Sequence, residues 1–223
     1  MKKFEFTGET KTLLDGTVLH RIKAIVRIES DAGNVEVGDI GGWIEKEGNL
    51  SHDGNAWVSD DAEVYGDARV SGKAWVSDDA EVYGAAIVFG NARVSVKAKV
   101  YGDAEVYGDA EVHGDAWVHG YAKVYGDAWV SDSAEICGDA EIFRMEHYLV
   151  MGPIGSRNAF ITFFRTKDKK IKVVCGCFFG TIDEFLAKVE QTHGDSKHAK
   201  VYQTAVEVAL TQLEDVERRN NNA

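Results

Sequence analysis

From Gly54 to Phe143 the chain repeats one six-residue pattern of apolar and polar positions fifteen times, with no insertion or loss. The first block is Gly54-Asn55-Ala56-Trp57-Val58-Ser59 and the last is Gly138-Asp139-Ala140-Glu141-Ile142-Phe143. Ala fills the third slot every time, and Val or Ile the fifth. Ala-x-Val puts two apolar side chains on one face of a short strand, and Gly-Asp beside it is a turn signal. Six residues are too few for a hairpin meander. The pattern predicts a chain that bends once per block, closes a triangular coil in three blocks and stacks each coil on the last. Each coil then buries three Val or Ile and three Ala, at about 1.5–3 kcal/mol per Val. Five coils at about 4.8 Å make a rod about 24 Å long, whose two open ends need covering.

An aliphatic residue followed four positions later by a small one, as in Val64 to Ala68, Val70 to Ala74 and on to Ile136 to Ala140, resembles the hexapeptide repeat of left-handed parallel β-helices. The resemblance implies an all-β left-handed parallel β-helix of about five coils over residues 54–143; the flanks read as a β cap over 1–53 and an α+β domain over 144–223. The handedness rests on the resemblance alone. The run Val37-Gly38-Asp39-Ile40-Gly41-Gly42-Trp43-Ile44, followed by Asn49-Leu50-Ser51, resembles the lead-in of phage and prophage hexapeptide-repeat proteins, some of them labelled transferases.

The flanks read differently. Lys3–Thr7 and Val18–Ile28 look like strands around the Leu14-Asp15-Gly16-Thr17 turn. Tyr148–Met151, Ala159–Arg165 and Ile171–Cys175 look like strands of a second unit. Thr181 is a helix N-cap, with Asp183 and Glu184 in the first turn and Ile182, Phe185, Leu186 and Val189 on one face. A second helix starts near Ser196. Its apolar residues Tyr202, Val206, Ala209, Leu213 and Val216 follow a heptad seam, for which packing on the hairpin is the default. Arg218–Ala223 is polar and expected to fray.

Residues eighteen apart should stack on the outside of the prism. Three columns follow each Val: Ser59, Ser77, Ser95, His113, Ser131; Tyr65, Tyr83, Tyr101, His119, Cys137; and Ser71, Phe89, Tyr107, Tyr125, Phe143. Trp57, Trp75 and Trp129 precede the Val on the first face, with Arg93 and Glu111 between. Outward aromatic columns need a cause: mutual stacking or a cover of C-terminal helices, an interface between copies, or a ligand stripe. The face carrying Phe89, Tyr107, Tyr125 and Phe143 is the most apolar and is the expected buried contact. Asp corners also form columns. Capping of turn amides is their expected role, and a calcium corner the alternative.

Glycine numbers 23 and proline one, which fits a single turn type used repeatedly. Of the net charge of −12, residues 54–143 carry 6 basic and 17 acidic side chains, or −11. Such a surface repels nucleic acid, although an acidic decoy for DNA-binding proteins stays open. No apolar run is long enough to span a membrane, and the start Met1-Lys2-Lys3-Phe4-Glu5 has no export signal, so a cytoplasmic location is expected, in a host cell if the protein is phage-encoded.

Three constellations offer chemistry. His113 and His119 are the only His of the strict repeat and the candidates for an acyltransferase base, but they fall on adjacent faces and no loop breaks the coil to hold an acyl carrier. Gly155, Ser156 and Arg157, with Arg165, could hold a phosphate on loop amides and guanidinium groups, against an ordinary loop with surface Arg. Cys175 and Cys177 would need two further zinc ligands, with His193 or Cys137 the candidates, and buried structural Cys is the preferred reading. No cofactor or metal is expected. The resulting reading is a non-enzymatic dimeric or trimeric binding protein that takes a host protein or a small phosphate-bearing ligand, such as a nucleotide signal in host defence.

Overall fold

The computed structural model describes residues 1–220, with side chains through residue 213. Strands β1 (Phe4–Thr12), β2 (Val18–Ala24), β3 (Ile28–Ser30), β4 (Gly33–Val35) and β5 (Ile40–Ile44) precede the repeats. The repeats supply fifteen two-residue strands, β6 to β20, from Trp57–Val58 to Glu141–Ile142. They pair in parallel at eighteen-residue spacing, so that Val64, Val82 and Val100 stack in register. The Ala and Val/Ile of every block are buried. Fifteen blocks in three sheets make five turns of a parallel β-solenoid. Most of a sixth comes from the preceding segment, where Ile44 pairs with Val64 and Leu50 bridges Val70.

The first slot of every block lies in the left-handed region, with φ between 54° and 74°. Glycine reaches that region without penalty. At Gly108 a Cβ would also stand 2.9 Å from the amide nitrogen of Gly126 in the next turn. Asp60, Asp78 and Asp132 take the same corner, which Asp tolerates better than most residues. Val96 takes it at φ 66° although its branched Cβ suits it poorly.

The parallel ladder bonds between turns run in both directions, but at the strand ends and corners the earlier turn is the donor. Each fourth- and sixth-slot N–H donates to the following turn, as in Glu81 N to Ala98 O and Tyr83 N to Val100 O, both 3.0 Å. At those positions the first turn presents carbonyls and the last presents N–H groups. At the N-terminal end the backbone N–H groups of Trp43, Glu45 and Ser51 donate to Ala62, Val64 and Val70. Asn49 Nδ2 donates to Gly66 O and Ala68 O, and Lys3 Nζ to Ala56 O at 2.6 Å. Both side chains are buried, and burial lowers the Lys3 ammonium to about 8. At the other end acceptors take over: Thr162 Oγ1 for Glu135 N (3.1 Å), Tyr148 Oη for Ser131 N (3.3 Å) and His147 Nδ1 for Phe143 N (3.5 Å).

The acceptors come from the C-terminal unit. Strands β21 (Tyr148–Ile154), β22 (Ala159–Arg165), β23 (Ile171–Cys175) and β24 (Phe178–Thr181) form an antiparallel sheet. The last of these was not expected from the sequence. Alternation divides β22: Phe164, with Val174 of β23, joins the solenoid core, while Ile161 and Phe163 face helices α1 (Ile182–His193) and α2 (Lys197–Asn220). The α1 N-cap is Thr181, in a capping box with Glu184, as the sequence indicates. Tyr202, Val206, Ala209 and Leu213 of the heptad seam are buried against this sheet and α1; the side chain of Val216 and the end of the polar tail lie outside the described residues.

Candidate functional site

Two aromatic ladders run up the outside of the solenoid. Tyr65, Tyr83, Tyr101 and His119 stack with their rings nearly parallel and centroids 5.0, 4.9 and 4.7 Å apart. Phe89, Tyr107, Tyr125 and Phe143 stack at 4.8, 5.0 and 5.3 Å, and the His147 ring closes the column edge-on against Phe143. The turn spacing imposes this geometry, since identical slots recur one strand apart. The second ladder stays half-exposed, beside the 37 % exposed Ile87. The described residues of the C-terminal helices pack on Ile161, Phe163 and Val173 instead. The first face differs. There Ile28 and Val35 of the β3–β4 hairpin pack in the core with Trp57, Trp75 packs against them, and Trp129 is left 48 % exposed beside His113.

The first ladder changes character at its C-terminal end. His119 is followed one turn later by Cys137, and Glu135 projects from the same strand two residues earlier. His119 Nε2 lies 3.2 Å from Glu135 Oε1, and the donor atoms of His119, Glu135 and Cys137 all fall within 4.8 Å of one another. This is the one such group of three His, Cys, Asp or Glu donors found among the described residues. Burial first, then the Glu135 charge, pushes the Cys137 thiol up to about 12. Lys172, ion-paired to Asp139 at 2.7 Å, stands close by. Sequence reasoning placed His119 and Cys137 in one column but missed Glu135, whose position two residues before Cys137 on a strand was the available signal.

The other sequence candidates lie apart. His113 and His119 sit on adjacent faces, in different sheets, and the strands run at strict six-residue spacing with no loop between them. Gly155, Ser156 and Arg157 occupy the turn between β21 and β22, packed on Tyr202: a Cβ at Gly155 would fall on its hydroxyl, which also bonds Ser156. Arg157 Nη1 contacts Cys177 Sγ at 3.8 Å. Arg165 is buried at the far end of β22, about 20 Å along the strand from that turn. Cys175 is half-buried and Cys177 exposed at the β23–β24 turn, and both are free thiols.

The Asp corners divide by slot. First-slot carboxylates cap the next turn, as Asp60 does for Asp78 N (3.4 Å) and Asp78 for Val96 N (3.1 Å). Second-slot Asp61 and Asp67 instead pair with Arg21 and Lys46 of the N-terminal segment, both at 2.8 Å. Glu81 and Glu105 are paired with Lys99 and Lys123 on neighbouring turns. No helix among the described residues is long and apolar enough to cross a membrane.

Comparison with known proteins agrees with this architecture over one stretch. A family model described as the YdcK β-solenoid repeat matches residues 62–78. No curated protein matches the chain. The chain is a β-solenoid repeat protein.

Proposed function

We propose that this chain is a non-enzymatic binding and assembly protein, which self-associates as a dimer or trimer through the Phe89–Tyr107–Tyr125–Phe143 ladder and offers its C-terminal sheet-and-helix unit to a partner. The observation that carries this reading is a straight column of four stacked rings, each of them partly exposed among the described residues. A rigid apolar stripe of this kind costs little side-chain entropy to bury, because stacking already restricts the rings. The likeness of residues 37–51 to phage and prophage repeat proteins extends the reading to a host protein as the partner.

Light scattering on the size-exclusion peak tests it. The native chain should elute as a dimer or trimer at tens of micromolar, and Tyr107→Ser with Tyr125→Ser should return it to monomer with its circular dichroism unchanged. A native chain that stays monomeric at high concentration refutes the reading. No observation favours acyl transfer, since the two repeat His are held on separate faces.

A further inference from the structure

We propose that His119 Nε2, the Glu135 carboxylate and Cys137 Sγ form a three-donor site for Zn²⁺, with the fourth coordination position open to solvent. Three features converge on this. Each donor is of a type zinc accepts, and the set mixes imidazole, carboxylate and thiolate as zinc sites do and calcium or magnesium sites do not. The ladder register holds the donors together: Trp117 pairs with Glu135 and Val118 with Ile136, so His119 stands one turn above Cys137, and Glu135 and Cys137 project from the same side of one strand. Zinc bonds of about 2.0–2.3 Å set neighbouring donors about 3.3–3.7 Å apart. His119 and Glu135 are already at 3.2 Å, and the thiol lies within 4.8 Å of both.

The surroundings hold the donors in place. Tyr101 lies flat on the His119 ring at 4.7 Å and fixes its plane. Thr162 Oγ1 accepts from Glu135 N and pins the strand that carries the other two donors. Charge balances as well: a thiolate and a carboxylate neutralise the dication, and the thiol proton leaves to solvent when the metal binds. The His119 and Glu135 side chains are 23 % and 34 % exposed, which leaves a side for a fourth ligand, water or an exchangeable anion.

The test uses the full chain, stripped of metal and titrated with Co²⁺ and then Zn²⁺. One equivalent of Co²⁺ should produce a near-ultraviolet thiolate charge-transfer band with visible bands of tetrahedral intensity, and Zn²⁺ should bleach both. Cys137→Ser should abolish the charge-transfer band. His119→Gln and Glu135→Gln, both at partly exposed positions, should each weaken Zn²⁺ binding at least about tenfold. Cys175→Ser with Cys177→Ser should change neither spectrum nor affinity. No cobalt spectrum at one equivalent, or a charge-transfer band that survives Cys137→Ser, overturns the proposal. Unchanged affinity in both His119→Gln and Glu135→Gln overturns it equally, whether or not Cys137→Ser folds.

Discussion

Val96 is the one corner where side-chain chemistry and backbone geometry conflict, and relieving it should stabilise the protein. Its φ of 66° places an L-residue with a branched Cβ in a region that costs about 1–2 kcal/mol relative to the right-handed one. The eleven corner glycines avoid that cost. Val96→Gly removes the strain, and the backbone N–H that donates to the Asp78 carboxylate at 3.1 Å survives the change. The lost side chain is 46 % exposed and contributes little burial. Against the gain stands the extra freedom glycine gives the unfolded chain, about 0.5–1 kcal/mol. The net expectation is about 1 kcal/mol of stabilisation, or about 2–4 °C in Tm for a chain of this size. Val96→Asp should stabilise as well. In the three Asp corners a preceding serine, Ser59, Ser77 or Ser131, bonds the carboxylate at 2.9–3.2 Å, and Ser95 already precedes Val96. Urea unfolding followed by circular dichroism measures the change, with Gly108→Ala as the opposite perturbation. That substitution should destabilise, since its Cβ would meet the Gly126 amide nitrogen at 2.9 Å. An unchanged or lower midpoint for Val96→Gly, at constant m-value, would refute the argument that corner conformation selects the residue.

The capped ends give two more predictions. Asn49→Ala leaves the carbonyls of Gly66 and Ala68 and the amide of Lys46 without their side-chain partner at a fully buried site, and should cost about 2–3 kcal/mol in the same urea assay. His147 is buried, and its desolvation, followed by the charges of Arg165 and Arg144, lowers it from 6.5 to about 4. Between those values the unfolded chain takes up a proton that the folded chain does not, so stability is full above about pH 6.5 and falls as the pH drops toward 4, by up to about 3 kcal/mol. His147→Gln, which keeps an acceptor for Phe143 N but does not titrate, should flatten that segment of the pH–stability curve; an unaltered slope would contradict the assignment.

The repeat was legible in the sequence because its determinants are local. Ala and Val alternate on a strand, a corner needs a positive φ every sixth residue, and the spacing then dictates which side chains stack on which. The aromatic ladders follow from the same arithmetic, as does the Thr181 cap of α1. Other features depend on contacts across many residues, which no local pattern records. Lys3 reaches Ala56, and Thr162 reaches Glu135, because the end turns of a stacked solenoid leave carbonyls and N–H groups without a next turn, and distant segments must satisfy them. The β3–β4 hairpin folds over Trp57 while the ladder of Phe89 to Phe143 stays open, although both faces read as apolar stripes. Arg157 and Arg165 look adjacent along the chain, yet a straight strand holds them at opposite ends. His119, Glu135 and Cys137 converge because parallel stacking brings residues sixteen and eighteen apart within reach of one ion, a distance that only the closed turn makes short.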